Sequence, residues 1–234
     1  MQLFYNPELT EHSVQVTFSK DESKHIVKVL RKSVGDELHI TNGNGWLFVA
    51  KITIADIKNC ITEIVSKTFI PKKNYQVHLA VAPTKMNDRY EWFLEKATEI
   101  GVDSITPIIC NHSERKTINA ERFEKILLAA MKQSNQYYLP TLQSQINFNE
   151  FIKQNFSEQK FIAHCEDTDK KSLKSVLKPE TDVLMMIGPE GDFSVKEIET
   201  AIKNQFIPVT LGTTRLRTET AAIVACHSVA LMNE

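Results

Sequence analysis

The chain has no long hydrophobic run. No apolar stretch approaches the ~18 residues that a membrane span needs, and the opening MQLFYNPELT has no basic segment followed by an apolar core. Neither a spanning helix nor a secretory signal is therefore expected. Cysteine is sparse: Cys60, Cys110, Cys165 and Cys226 lie far apart, with no CxxC pair. That spacing argues against a disulfide framework or a zinc site and for reduced thiols in the cytoplasm. The seven histidines are equally scattered. The adjacent pair His164-Cys165 has no second cluster to complete a metal site, so no metal is expected. An excess of one charge is also missing. Residues 1–73 carry 10 Lys and Arg against 8 Asp and Glu, and the remainder 18 against 21, for a net charge of −1. Any RNA partner would then be met by a local patch, not by a global field. GxGxxG and GxxxxGK[ST] are absent, which removes the dinucleotide fold and the P-loop NTPases. Repeats and low-complexity tracts are absent too.

What is present is globular. With 42% hydrophobic and 24% charged residues, the 234-residue chain can bury one large core or two smaller ones. Two textures meet near residue 70. Before it come short strand-like runs, VQVTF (14–18), ELHIT (37–41), WLFVAKITI (46–54) and CITEIV (60–65). NGNG (42–45) forms a hairpin turn between the second and third, because Asn and Gly tolerate positive φ. One helix interrupts them, opened by the capping-box pair Ser19 and Glu22, with Gly35 beyond its far end. In its HIVKVLRK segment, Ile26, Val29 and Leu30 are expected to face the core. His25, Lys28 and Lys32 would lie on the wet side. This reads as a β-rich module, a compact barrel of about 70 residues, joined to the remainder of the chain by PKKN (71–74).

The rest alternates. Strands YQVHLAVAP (75–83), SITPII (104–109), KFIAHCE (160–166), DVLMMIG (182–188) and IPVTLG (207–212) are separated by helical segments. These are 87–102, closed by Gly101; 119–136; a short one near 148–154; one opened by the capping box Ser194 and Glu197; and a last one over 217–233. Such alternation implies a mostly parallel sheet covered on both faces. Ligands then bind beyond the carboxyl ends of the strands. Three of those ends are unusual: AHCED, GPEGDFS and LGTTRLRTETAA. Taken singly, each has a plain explanation. GPEG can be a turn with Glu190 in solvent, and RTET an N-cap made by Thr218 or Thr220, with Glu219 at the positive end of the helix.

Taken in order, HIVKVLR, EKATEIGV with ITPI, IGPEG, LG and LRTETA resemble one family over nearly the whole chain. They are similar to the 16S ribosomal RNA (uracil-N3)-methyltransferases of the SPOUT superfamily. The resemblance implies an α/β protein with a PUA-like small β-barrel over 1–73. A SPOUT methyltransferase domain occupies 74–234, its C-terminal segment threaded into a trefoil knot. It also implies that Ile187, Gly188, Pro189, Glu190 and Gly191, with Leu211, Gly212, Leu216, Arg217 and Thr218, hold S-adenosylmethionine. Arg217 would stabilise charge on the uracil, and Glu219 or Glu190 is the candidate base. Lys24, His25, Lys28, Arg31 and Lys32 would meet 16S rRNA of the small ribosomal subunit. A cytoplasmic homodimer without metal completes the expectation. Two departures stand out. Asp192 occupies a position where the family usually has Gly, and LGTTRLR puts Thr214 at a usual Arg position, with Arg215 one place later. Two rivals remain at this point: an RNA-binding assembly factor without activity, and a methyltransferase acting on a ribose 2′-hydroxyl.

Overall fold

The computed structural model describes residues 2–167 and 169–234. It divides into two compact units, residues 2–72 with Met131–Leu139, and Lys73–Ala130 with Pro140–Glu234. A single cut in the sequence does not describe this division, because the segment 131–139 returns to the first unit. Backbone groups explain the return. Gly45 N donates to Tyr137 O at 2.9 Å, Leu139 N to Gly43 O at 3.0 Å, and the Tyr138 hydroxyl to Ile70 O at 2.8 Å.

The first unit contains β1 (Leu3–Tyr5), β2 (Gln15–Thr17), α1 (Lys20–Lys24), β3 (Glu37–Thr41), β4 (Trp46–Ile54) and β5 (Ile61–Phe69). Its five strands pair in the order β1-β3-β4-β5-β2, which leaves β1 and β2 at the two edges of an open ladder. All neighbours are antiparallel except β1 and β3. Phe4, Phe18, Ile26, Ile40, Phe48 and Ile52 fill its core. The NGNG turn is held by Asn42, whose side-chain oxygen accepts from Asn44 N at 2.9 Å and Trp46 N at 3.3 Å.

The helix expected through HIVKVLRK is corrected here. The α-helix stops at Lys24 and continues as a π-helical turn, His25–Val29, closed by Leu30 N on His25 O at 2.9 Å. One extra residue in the turn rotates Val29 outward, to 64% exposure, while Ile26 stays at 0%. An α-helical period would have buried both.

The second unit opens with β6 (Val77–Val81), α2 (Asn87–Ile100) and β7 (Ser104–Ile109). Helix α3 (Ala120–Gln133), whose residues from Met131 on belong to the first unit, β8 (Thr141–Leu142), β9 (Ile146–Asn147), α4 (Phe148–Phe151) and β10 (Gln159–Ala163) come next. It ends with β11 (Lys171–Ser172), α5 (Leu173–Val176), β12 (Val183–Ile187), α6 (Val195–Lys203), β13 (Ile207–Thr210) and α7 (Thr218–Leu231). Among the described residues the strands run β11-β13-β10-β12-β6-β7-β8, with β9 also on β7, and every pair is parallel. Central β12, VLMMI, is buried along its whole length, as a sheet covered on both faces requires. Leu184 and Met186 join Ala80, Ile108 and Ile162 beneath α4 and α6, where Phe148, Phe151, Ile198 and Ala201 meet them. Helix α7 covers the other face over β6 and β12 and packs against α2. Gly101, at φ 102°, closes α2 by donating its N–H to Ala97 O and Thr98 O. Because the central strands run one way, the loops after β6, β7, β10, β12 and β13 gather at one edge of the sheet.

Two stability outcomes are expected. A Cβ at Gly45 (φ 89°) would run into the Tyr138 hydroxyl and come within 2.8 Å of Ile70 O, whereas one at Gly35 (φ 94°) would meet nothing within 4 Å. Gly35→Ala should therefore cost only the backbone conformation, about 1–2 kcal/mol, and Gly45→Ala clearly more; equal losses in urea unfolding would remove the clash argument. His78 tests the second sheet. Its Nε2 lies 2.7 Å from Thr106 Oγ1, and burial pushes its pKa down to about 4. The unfolded chain then takes up the proton first. Stability due to neutral His78 is complete above about pH 6.5 and is lost as pH falls towards 4. His78→Gln should flatten the stability profile between those values.

Candidate active site

Strand β12 ends at buried Ile187 and enters the turn Gly188–Pro189–Glu190–Gly191. Four interactions hold that turn from different elements. The Thr218 hydroxyl, at the start of α7, donates to Gly188 O at 3.0 Å in the interior. Glu190 Oε1 accepts from Lys85 N at 2.9 Å in the loop after β6. His112 Nδ1, after β7, lies 3.0 and 3.1 Å from the carbonyl oxygens of Gly191 and Asp192. Asp192 Oδ2 accepts from Cys165 N at 2.7 Å, after β10. Arg115 supports the Lys85 loop in turn, donating through Nε to Thr84 O at 3.1 Å and through Nη2 to Lys85 O at 2.7 Å.

Asp192 itself has φ 62°, a left-handed conformation that Asp tolerates better than most residues. Its other oxygen accepts from Phe193 N at 2.8 Å. Asp192 thus combines a left-handed backbone with two hydrogen bonds from its own carboxylate.

Beside the turn lies a cavity of about 300 Å³, at the lower end of the range for small-ligand sites. Ile187, Gly188, Pro189, Glu190 and Asp192 form one wall; Arg215, Leu216, Arg217, Thr218 and Ala221 form the other, and Cys165 completes it. Seven of the expected cofactor residues are thereby brought together. Three are not. Leu211 and Gly212 line a different cavity of about 330 Å³, with Ser172, Leu173 and Ser228. Gly191 is absent from these walls, and a Cβ there would meet His112 Cβ at 3.0 Å. Its lack of a side chain serves contact with the loop after β7.

Arg215 and Arg217 both line the cavity, and so does Leu216 between them. Helix α7 begins at Thr218 with Arg217 as its N-cap, and no side chain caps it. Thr218 uses its hydroxyl on Gly188 instead. Among the candidate bases, Glu190 is half-exposed and engaged by Lys85. Glu219 is 6% exposed, and its Oε2 is buried without a hydrogen-bond partner. The basic residues named for RNA lie in the first unit: Lys24, Lys28 and Arg31 are exposed, while His25 and Lys32 are half-buried. His25 Nε2 accepts from the Gln2 side-chain amide at 3.0 Å. Among the described residues no group of three or more His, Cys, Asp or Glu could hold a metal, and no helix is long and apolar enough to cross a membrane. Ala221, His112 and Arg115 are not among the residues expected from the sequence, and Cys165 enters there only in the pair His164-Cys165 and the strand end AHCED. His112 and Arg115 lie at a further strand end, NHSERK after β7, and the strand-end rule that singled out GPEG applies to it equally.

Comparison with known proteins gives a consistent picture. A family model described as an RNA methyltransferase domain matches residues 71–230, and one described as an RNA methyltransferase PUA domain matches 18–65. The ribosomal RNA small subunit methyltransferase E of Buchnera aphidicola is 34% identical over 229 residues, covering 93% of this chain and 88% of its own. A crystal structure of the protein of that name from Neisseria gonorrhoeae, bound to S-adenosyl methionine, superimposes with a TM-score of 0.87. It is 27% identical and covers 100% of this chain and 98% of its own. A crystal structure described as a probable rRNA-methyltransferase from Porphyromonas gingivalis reaches a TM-score of 0.92 at 39% identity, with 100% and 98% covered.

Asp192→Ala should lose both hydrogen bonds and retain the unfavourable φ, at a cost of about 2–4 kcal/mol. Asp192→Gly should cost less, since it relieves the backbone. Wild-type thermal stability in both variants would show that the turn does not depend on the carboxylate.

Proposed function

The chain belongs to the ribosomal RNA small subunit methyltransferase E family, and from that premise we propose that it methylates N3 of one uridine in 16S rRNA of the small subunit, using S-adenosylmethionine. The observation that carries this reading is the cavity between the 187–192 turn and the 215–218 segment, stitched together by Thr218 and Gly188. Its size suits a small ligand, and its walls combine apolar Ile187, Pro189, Leu216 and Ala221 with two arginines. We place both segments in a trefoil knot, as the family resemblance implies, and Leu211 and Gly212 in the same cofactor site as its continuation. The PUA domain, with Lys24, His25, Lys28, Arg31 and Lys32, is assigned to docking on the rRNA. A second copy is proposed to cover the outer side of α7, a helix apolar around its circumference whose Leu231 is 58% exposed. The protein would work in the cytoplasm, where its substrate is assembled.

When bound, S-adenosylmethionine supplies a methyl group activated by a sulfonium. The chain has three tasks. It must hold the uracil in line, an alignment worth ~7–11 kcal/mol in well-oriented systems. It must remove the N3 proton, which uracil retains at neutral pH. It must also stabilise the negative charge that then spreads to the uracil oxygens. Arg217, with Arg215 beside it, suits the third task. For the second, their hydrogen-bond partners separate the two carboxylates. Glu190 is occupied at Oε1 by Lys85 N and acts as a positioning residue for the turn. Glu219 follows Thr218 of the cavity wall without lining the cavity itself; its oxygen without a partner makes it the carboxylate assigned to take the proton.

Purified small subunits that lack the modification should gain one methyl group, recovered as 3-methyluridine in nucleoside analysis. A methylated ribose or another base would overturn the site assignment. Arg217→Ala should lower the rate at saturating RNA by about 10²–10³. Glu219→Gln should do so too, and Glu190→Gln should weaken cofactor binding more than the rate. Wild-type rates in Glu219→Gln would remove it as the base.

A further inference from the structure

A larger cavity, about 610 Å³, opens at the carboxyl ends of β7 and β9. It lies on the other side of the turn that walls the first: Asp192 lines one and Ser194 the other. Two adjacent residues after β7 join them. His112 is held to Gly191 and Asp192, and Asn111 N donates to Glu197 Oε1 at 2.9 Å. Its polar rim is formed by Asn111, Lys116, Asn147, Asn149, Lys196 and Thr200, all exposed except half-buried Thr200.

The donors and acceptors decide what fits. Glu197 is already bonded, by Asn111 N and by both Ser194 N and Ser194 Oγ at 2.8 Å. The reciprocal capping box also occupies the start of α6, so the helix end is not an anion hole. The charge of Glu197 is met by those three hydrogen bonds, and exposed Glu150 stands beside exposed Lys116 and Lys196 on the rim, which suits backbone phosphates in solvent and not an enclosed free anion. Three carboxamides offer mixed donors and acceptors, the set that reads the edge of an unstacked base, and the Thr200 hydroxyl, which donates to Lys196 O at 2.7 Å, adds an acceptor. Lys116 and Lys196, both exposed on the rim, supply positive charge for the phosphates flanking that base.

We propose that this cavity is a second RNA subsite, which takes one unstacked nucleotide flanking the methylated one. It rests on the rRNA methyltransferase reading and adds a source of specificity to it. The test compares wild type with Lys116→Glu/Lys196→Glu and Asn147→Ala/Asn149→Ala, after thermal unfolding has confirmed folded variants. Affinity for rRNA and small subunits is measured across a salt series, together with the KM for subunits and calorimetric binding of S-adenosylmethionine. The lysine variant should bind RNA at least tenfold more weakly, with a salt slope smaller by about one to two. The asparagine variant should raise KM without changing that slope, and both should bind S-adenosylmethionine as wild type does. Unchanged RNA affinity and KM in both variants would overturn the subsite while leaving the reaction intact. If wild type methylated no RNA, the reaction would fall, and the binding measurements would still decide the subsite.

Discussion

A parallel sheet delivers its loops to one edge, and each loop arrives with backbone N–H and C=O groups that the strands no longer pair. Here those groups are met by side chains from other loops. Thr218 reaches Gly188, Glu190 reaches Lys85, Asp192 reaches Cys165 and Glu197 reaches Asn111. Arg115 adds the carbonyls of Thr84 and Lys85. Each bond contributes only about 0.5–3 kcal/mol, more when one partner is charged, but leaving a buried group unmet costs as much. Cross-bonding between loops is therefore what fixes the relative positions of the cavity walls, and preorganised groups of this kind are what transition-state stabilisation needs.

The same constraint separates residues that share a charge. Among the glutamates at this edge, Glu190 and Glu197 are engaged by backbone amides. Glu219 is the exception, buried at the first turn of α7 with Oε2 unmet. An unmet buried carboxylate oxygen is costly, and Glu219 holds one directly after Thr218 of the cavity wall. His164 is comparable: both ring nitrogens are buried and unpartnered. Burial, helped by nearby Lys170, lowers its pKa, which keeps the ring neutral beside the cavity wall.

Much of this was legible in the sequence because it depends on short range. The alternation of strands and helices, the Gly101 stop and the Ser194–Glu197 box each involve residues within a few positions of one another. The first helix failed for a local reason that propensity does not encode, since a π-helical turn changes the period without changing the residue types. Segment 131–139 failed for a long-range one, because its partners Gly43, Gly45 and Ile70 lie more than sixty positions away. The site divides in the same way. GPEG and LRTET could be singled out as strand ends, but Glu190 and Glu219 could not be told apart. Their partners, or lack of them, come from elements far off in the chain.

Asp192 shows how an unfavourable backbone can be offset by such distant bonds. Glycine at this position would adopt φ 62° at little steric cost and leave Cys165 N to water or to another group. Aspartate has a less favourable backbone there, and its carboxylate ties the loop after β10 to the turn after β12. Compared with a glycine, the aspartate gives a fixed link between two loops in place of conformational freedom in one. Because Cys165 and Asp192 both line the smaller cavity while Ser194, two residues on, lines the larger, that link sets both spaces at once. A change at this single residue should then be felt on both sides of the turn, a coupling by shared backbone that needs no conformational switch.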